Sequence, residues 1–145
     1  MDDFFSKIDS KLEEQKQRKE SANTQKEENR AFLAKVCTEV APIVAKYEHE
    51  LQARNINVSS TIRDHLVSVE LKFADGGHNR LTLSQDIDSG RLTMEKHFTN
   101  DDGKNYKSTD GRTFNEQNWR NDLFETALKK LIEDFVFYAP RHGGI

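Results

Sequence analysis

The one thiol in the chain is Cys37, and a cysteine nucleophile works as a thiolate activated by a neighbouring base or positive charge. Cys37 lies beside Val36 and Val40 in an apolar pattern of helical spacing, which predicts a buried and inert thiol. A single cysteine excludes an internal disulfide and brings no second sulfur to a metal. The five histidines, His49, His65, His78, His97 and His142, never recur at the i,i+4 spacing of a helical zinc site. His65 and His97 can become neighbours across strands, with Glu95 as a third ligand that the sequence does not place. His78 falls in a predicted turn and His142 in a glycine-rich tail, and all five read as solvent-exposed.

Two acidic stretches invite a calcium reading. Asp86 and Asp88 frame one turn, and Asn100-Asp101-Asp102-Gly103 with Asp110-Gly111 forms another group. Neither keeps the Asp-x-Asp-x-Asp-Gly order with a glutamate at position twelve. Aspartate and asparagine favour turns through hydrogen bonds to their own backbone, which accounts for both stretches. Glycine-rich phosphate loops, nucleophile elbows and paired-histidine zinc motifs are missing from the sequence. No catalytic residue, cofactor-binding residue, metal ligand or cofactor is therefore assigned. A site assembled only on folding stays open.

Charge narrows the partners. The chain carries 22 basic and 25 acidic side chains, a net charge of -3, distributed evenly along its length. Phosphate contacts need a basic excess that neither half supplies, which argues against nucleic acid. Base stacking on an open sheet would need exposed aromatics, whereas the outward positions of the predicted strands are Ser68, Glu70, Lys72, Thr82, Ser84, Thr93, Glu95 and His97. No run approaches the ~20 apolar residues of a membrane span, and the acidic start Met1-Asp2-Asp3 does not resemble a secretory leader. The expected location is the cytoplasm, where the sequon Asn57-Val58-Ser59 has no use.

These side chains must be positioned by the elements the pattern predicts. Phe5, Ile8 and Leu12, with Phe4 beside them, give an apolar helical stripe of about two turns. From Glu13 to Arg30 the one apolar residue is Ala22, among five acidic and five basic side chains. Such a segment has helical propensity and no face to bury, so it reads as an arm, either extended or frayed. From Ala31 to Arg54, Leu33, Val36, Val40, Val44, Tyr47 and Leu51 mark a helix that packs on a core. Pro42 predicts a kink or break within it, and Asn55 a stop.

Val67, Val69, Leu71 and Phe73 alternate with polar residues, as do Leu81 and Leu83, then Leu92, Met94 and Phe98. Asp75-Gly76-Gly77 and Asp88-Ser89-Gly90 supply the turns between them. Lys96 falls on the inward side, which predicts an edge or a strand end. A short fourth strand is expected near Tyr106–Ser108 or Arg112–Phe114. Asn115 is the expected cap of a last helix carrying Leu123, Phe124, Ala127, Leu128, Leu131, Ile132 and Phe135.

The predicted fold is α+β: an antiparallel meander of three or four strands covered by two amphipathic helices and preceded by a charged helical arm. Residues 1–30 form the arm, 31–139 a single domain, and 140–145 a flexible tail. The leading functional expectation is a non-enzymatic interaction or assembly module that binds a protein partner, or a second copy through its N-terminal helix. Phe4, Phe5, Ile8 and Leu12 are its candidate contacts, with Trp119 a candidate anchor. The alternatives are a small enzyme or ligand-binding domain with a pocket between sheet and helices, and nucleic-acid binding through a basic patch formed on folding.

Overall fold

The chain was described with a computed structural model, which covers residues 2–63 and 66–145, the side chains of residues 2 and 109–112 apart. The elements run α1 (Asp2–Ala53), β1 (Asn57–Arg63), β2 (Leu66–Lys72), β3 (His78–Asp86), β4 (Arg91–Thr99), β5 (Asn105–Phe114) and α2 (Asn121–Tyr138). A short 3₁₀ turn over Ala139–His142 follows. The class is α+β. All strand pairings are antiparallel between consecutive strands, so the sheet is a five-stranded meander.

Five strands replace the three or four expected. β1 escaped the reading because Asn-Val-Ser-Ser-Thr-Ile-Arg has only Val58 and Ile62 as apolar residues, and only Val58 among its side chains is buried. An edge strand needs little apolar content, since one side of it is free. The two alternatives for a last strand are parts of one continuous strand, β5, whose pairing with β4 shifts register between Thr93 and Glu95.

The first helix differs more. α1 is one helix of 52 residues, about 78 Å long, which continues through Pro42 without a break. A proline inside a helix forfeits one ladder bond and crowds the preceding turn. Here Val36, Val40 and Val44, all buried, hold the helix to the sheet on both sides of the exposed ring. Asn55 stops the helix as predicted. With φ at 61° it lets the Ile56 amide donate to the Leu51 carbonyl (3.1 Å) and its own amide donate to that of Gln52 (3.0 Å). Both Leu51 and Ile56 enter the core, the apolar contact that accompanies this type of helix end.

The second helix begins later than Asn115. The Asn115 side chain does accept the amides of Gln117 and Asn118 (both 3.0 Å), but the turn it closes ends there. Arg120 is extended (φ -138°, ψ 142°) and α2 starts after it with no side-chain cap.

Both helices lie on one face of the sheet. Leu33, Val36, Val40 and Val44 of α1 and Phe124, Leu128, Leu131 and Phe135 of α2 form a single cluster with Val67, Val69, Leu71, Leu81, Leu83 and Leu92. Alternation places Ser68, Thr82, Glu95 and His97 on the opposite face. Lys96 lies on the inner face but not at an edge: β4 is flanked by β3 and β5, where Lys96 pairs with Leu81 and Ser108. It is tolerated because the helices leave a cleft there. No helix among the described residues is long and apolar enough to cross a membrane.

Candidate functional site

The arm stripe is the first candidate. The side chains of α1 are exposed from residue 3 through Glu28, so this part of the helix projects beyond the sheet. Phe4 and Phe5 are 61% and 62% exposed and touch each other edge to face at 5.2 Å. Leu12 is 57% exposed and Ile8 is also exposed. The projection ends at Asn29, which is buried against the β3–β4 turn and donates to the Ile87 carbonyl at 2.8 Å. The composition change at Ala31 thus lies within one turn of the first docking contact.

Trp119 does not join the stripe. Its ring is buried edge-on against Phe114 at 5.4 Å, and its indole N–H donates to Asn121 Oδ1 at 3.1 Å. It is a core side chain rather than a projecting anchor. On α2 it is Phe137 that projects, 72% exposed and edge-on to Tyr138. It stands off the helical stripe that directs reading toward the core, so spacing alone passed it over.

An apolar groove of about 310 Å³ runs between the C-terminal half of α1 and α2. Tyr47, Leu51, Ile56, Ile132 and Val136 line it, with Arg54, Glu50, Lys129 and Glu133 at its border. The Tyr47 hydroxyl donates to Glu125 Oε1 at 2.8 Å, tying the two helices together. Burial first, and the Glu125 carboxylate second, push the tyrosine pKa up to about 12. The Arg54–Glu50 pair at 2.7 Å lies one turn apart on α1.

A second concavity, about 320 Å³, lies between the inner face of β3–β4 and the end of α2. Its floor includes Asn79, Lys96 and Phe98, and its roof Leu131, Asp134, Tyr138 and Arg141. His142 closes one side. Expected on a flexible exposed tail, His142 is in fact 4% exposed, stacked on Phe73 at 4.1 Å, with Phe73 in turn stacked on Phe135. Its Nδ1 lies 2.9 Å from Asp75 Oδ2, and a carboxylate only accepts, so Nδ1 carries the proton. Asp75 is held below the usual carboxylate range by the Gly77 amide first and by His142 as well. The tail is tied down through backbone too: the amides of Ala74 and Asp75 donate to the carbonyls of Gly144 (3.0 Å) and His142 (3.1 Å). These partners are far from His142 in sequence, and no local pattern announces them.

The remaining histidines are dispersed. His65 lies outside the described residues. His78 opens β3 rather than standing in the turn, with its Nδ1 3.9 Å from Glu70 Oε1. His97 Nε2 is 3.6 Å from Glu95 Oε2, a carboxylate it shares with Lys107 at 3.3 Å. Burial first, and Arg80 second, lower the His97 pKa. His97 and Glu95 are thus neighbours on the outer face.

The acidic loops carry turn chemistry. Asp86 accepts from the Asp88 amide (3.1 Å) and the Ser89 hydroxyl (2.9 Å), and Asp102 from the Lys104 amide (2.9 Å) and Tyr106 hydroxyl (2.6 Å). The side chain of Asp110 lies outside those described. Among the described residues no three His, Cys, Asp or Glu side chains converge as metal ligands. Cys37 is buried, receives the Gln85 amide at 3.1 Å and lies 3.5 Å from the Arg63 carbonyl oxygen.

Compared with protein-family models, curated proteins and solved structures, the chain matches none.

Proposed function

We propose that the protein is a non-enzymatic assembly module in which the arm of one copy docks into the α1–α2 groove of a second. One observation carries this reading: α1 is unbroken, so Phe5 stands about 60 Å along the same helix from Tyr47. The stripe cannot fold back onto its own groove, and Phe4, Phe5, Ile8 and Leu12 stay in water unless another chain covers them.

A second copy offers a complementary surface. With two α1 helices antiparallel and Ile8 level with Tyr47 of the other, Leu12 falls level with Ile43. In the same alignment Lys7 meets the level of Glu48, and Asp9 that of Lys46, so opposite charges correspond. A twofold exchange makes each contact twice and closes on itself, which avoids an open filament. Each fully buried side chain contributes about 1.5–3 kcal/mol before the cost of association is subtracted. One arm is too little for a stable pair, and two arms in two grooves give the interface its size.

Light scattering tests this on the intact chain, on Ile8→Asp and on Val136→Asp, with circular dichroism to verify folding. The intact chain should have the mass of a dimer and both variants that of a monomer. A monomeric intact chain at about 100 μM would remove the proposal, since useful self-association is tighter than that. A dimer that survives both substitutions would remove it too.

A further inference from the structure

We infer that the cleft beside His142 is a binding site for a small organic anion, a carboxylate carried on a planar apolar body. The first ground is charge. Of the charged groups around the cleft, Arg141 pairs with Asp101 at 3.2 Å, and Asp134 with Lys130 at 3.0 Å. Asp75 takes the His142 ring at 2.9 Å. Lys96 has no acidic partner among the described residues, although it rises from the inner face of an internal strand. Lys96 is partly buried at the cleft, and a bound carboxylate supplies the counter-charge that its ammonium lacks there.

The second ground is independent of charge. Asn79 is only 6% exposed, lines the same cleft, and its carboxamide makes no hydrogen bond among the described residues. Its amide atoms are not sealed in the core but reach the cleft, where a polar atom of a ligand can bond them. Asn79 lies opposite Phe98 and Lys96 opposite Leu81 on the same pair of strands, which makes Asn79 and Lys96 diagonal neighbours on one face. An ammonium and an amide N–H side by side suit the two oxygens of one carboxylate.

Shape supplies the rest. Phe73, Phe98, Leu131 and Tyr138 are apolar walls, and the stack of His142 on Phe73 holds one of them flat. The cleft's roughly 320 Å³ is at the lower end of small-molecule sites, which run about 300–1,000 Å³. One unpaired cation is too few for a polyphosphate, and the walls would be wasted on an inorganic ion.

Calorimetric titration of the full chain with 2-naphthoate, its neutral analogue 2-naphthamide, and acetate tests the assignment. Naphthoate should bind at least about tenfold more tightly than either other probe. Lys96→Gln should remove that preference while leaving the weak binding of naphthamide in place. Asn79→Asp should weaken naphthoate as well, by setting a like charge beside it. No binding of naphthoate at millimolar concentration overturns the inference, as do equal affinities for acid and amide or an unchanged Lys96→Gln. The cleft is separate from the arm, so Ile8→Asp should bind naphthoate like the unaltered chain, and failure of assembly would leave this result standing.

Discussion

The carboxamide of Asn29 fills the space that a side chain on Gly90 would need. A Cβ built on Gly90 would stand 2.6 Å from Asn29 Oδ1 and 2.8 Å from its Cγ. Gly90 has φ at +67°, so the turn demands glycine for its backbone and the helix demands it for space. Asn29 donates to the Ile87 carbonyl at 2.8 Å and accepts from Gln25 at 2.9 Å, while Lys26 faces Asp88 at 3.7 Å. These contacts clamp the middle of α1 to the β3–β4 turn and set where the free arm begins.

Gly90→Ala should therefore destabilise by more than the strain of a left-handed alanine alone, which is about 1–2 kcal/mol. Asn29→Ala should cost about 1–3 kcal/mol, because it leaves a buried carbonyl without its donor. In denaturant melts the double variant should fall short of the sum of the two, since each relieves or removes the same contact. Strict additivity would show that the two residues do not share a site.

The face of α2 can be read by truncation. Leu128 and Phe135 are fully buried, so Leu128→Ala should cost about 2–5 kcal/mol and Phe135→Ala about 3–5 kcal/mol. Phe137→Ala, on an aromatic 72% exposed, should leave the denaturation midpoint of a monomeric form within about 0.5 kcal/mol. Similar costs for all three would mean that the helix is rotated from the orientation described.

His97 supplies a pH dependence whose sign follows from burial. Its folded pKa is lowered, by burial first, so the unfolded chain takes up the proton before the folded one as pH falls. Stability held by the neutral ring is present above the ordinary value of 6.5 and declines as pH drops below it. Between pH about 7.5 and about 5, His97→Gln should lose less stability than the unaltered chain. Parallel pH profiles for the two would exclude the effect.

Asn55 ends α1 with a positive φ, which asparagine tolerates better than most residues. Asn55→Ala should cost about 1–2 kcal/mol. Asn55→Gly should be neutral or slightly stabilising. Chemical denaturation of the two variants side by side separates backbone conformation from loss of the side chain. Equal destabilisation would point to a side-chain role instead.

Much of the fold is legible because its signals are local. Alternation of Val67, Val69 and Leu71 with polar residues specifies a half-buried strand. The pairs Gly76-Gly77 and Ser89-Gly90 specify where the chain can reverse. The exposure of Phe4, Phe5, Ile8 and Leu12 follows from the polar run after them, which has no apolar face to carry the helix back to a core. Asn55 stops a helix for reasons contained in its own backbone preference.

Other features depend on residues distant in sequence, and tertiary structure decided them. Pro42 forecasts a break while the sheet that receives Val36, Val40 and Val44 is unseen; the helix runs on through it with those valines buried. Trp119 reads equally as an anchor or a core residue until Phe114 is folded against it. Lys96 reads as an edge residue until β5 pairs outside it and a cleft opens above it. His142 reads as a tail residue until Asp75, 67 positions earlier, takes its ring. By itself the sequence determined β2 to β4, the turns between them and the apolar stripe of the last helix, since periodicity and turn preference act over a few residues. Which polar side chains are buried, and beside what, came only with the fold. Burial is a property of the whole packed chain, and the partners that make it tolerable are brought together from far apart.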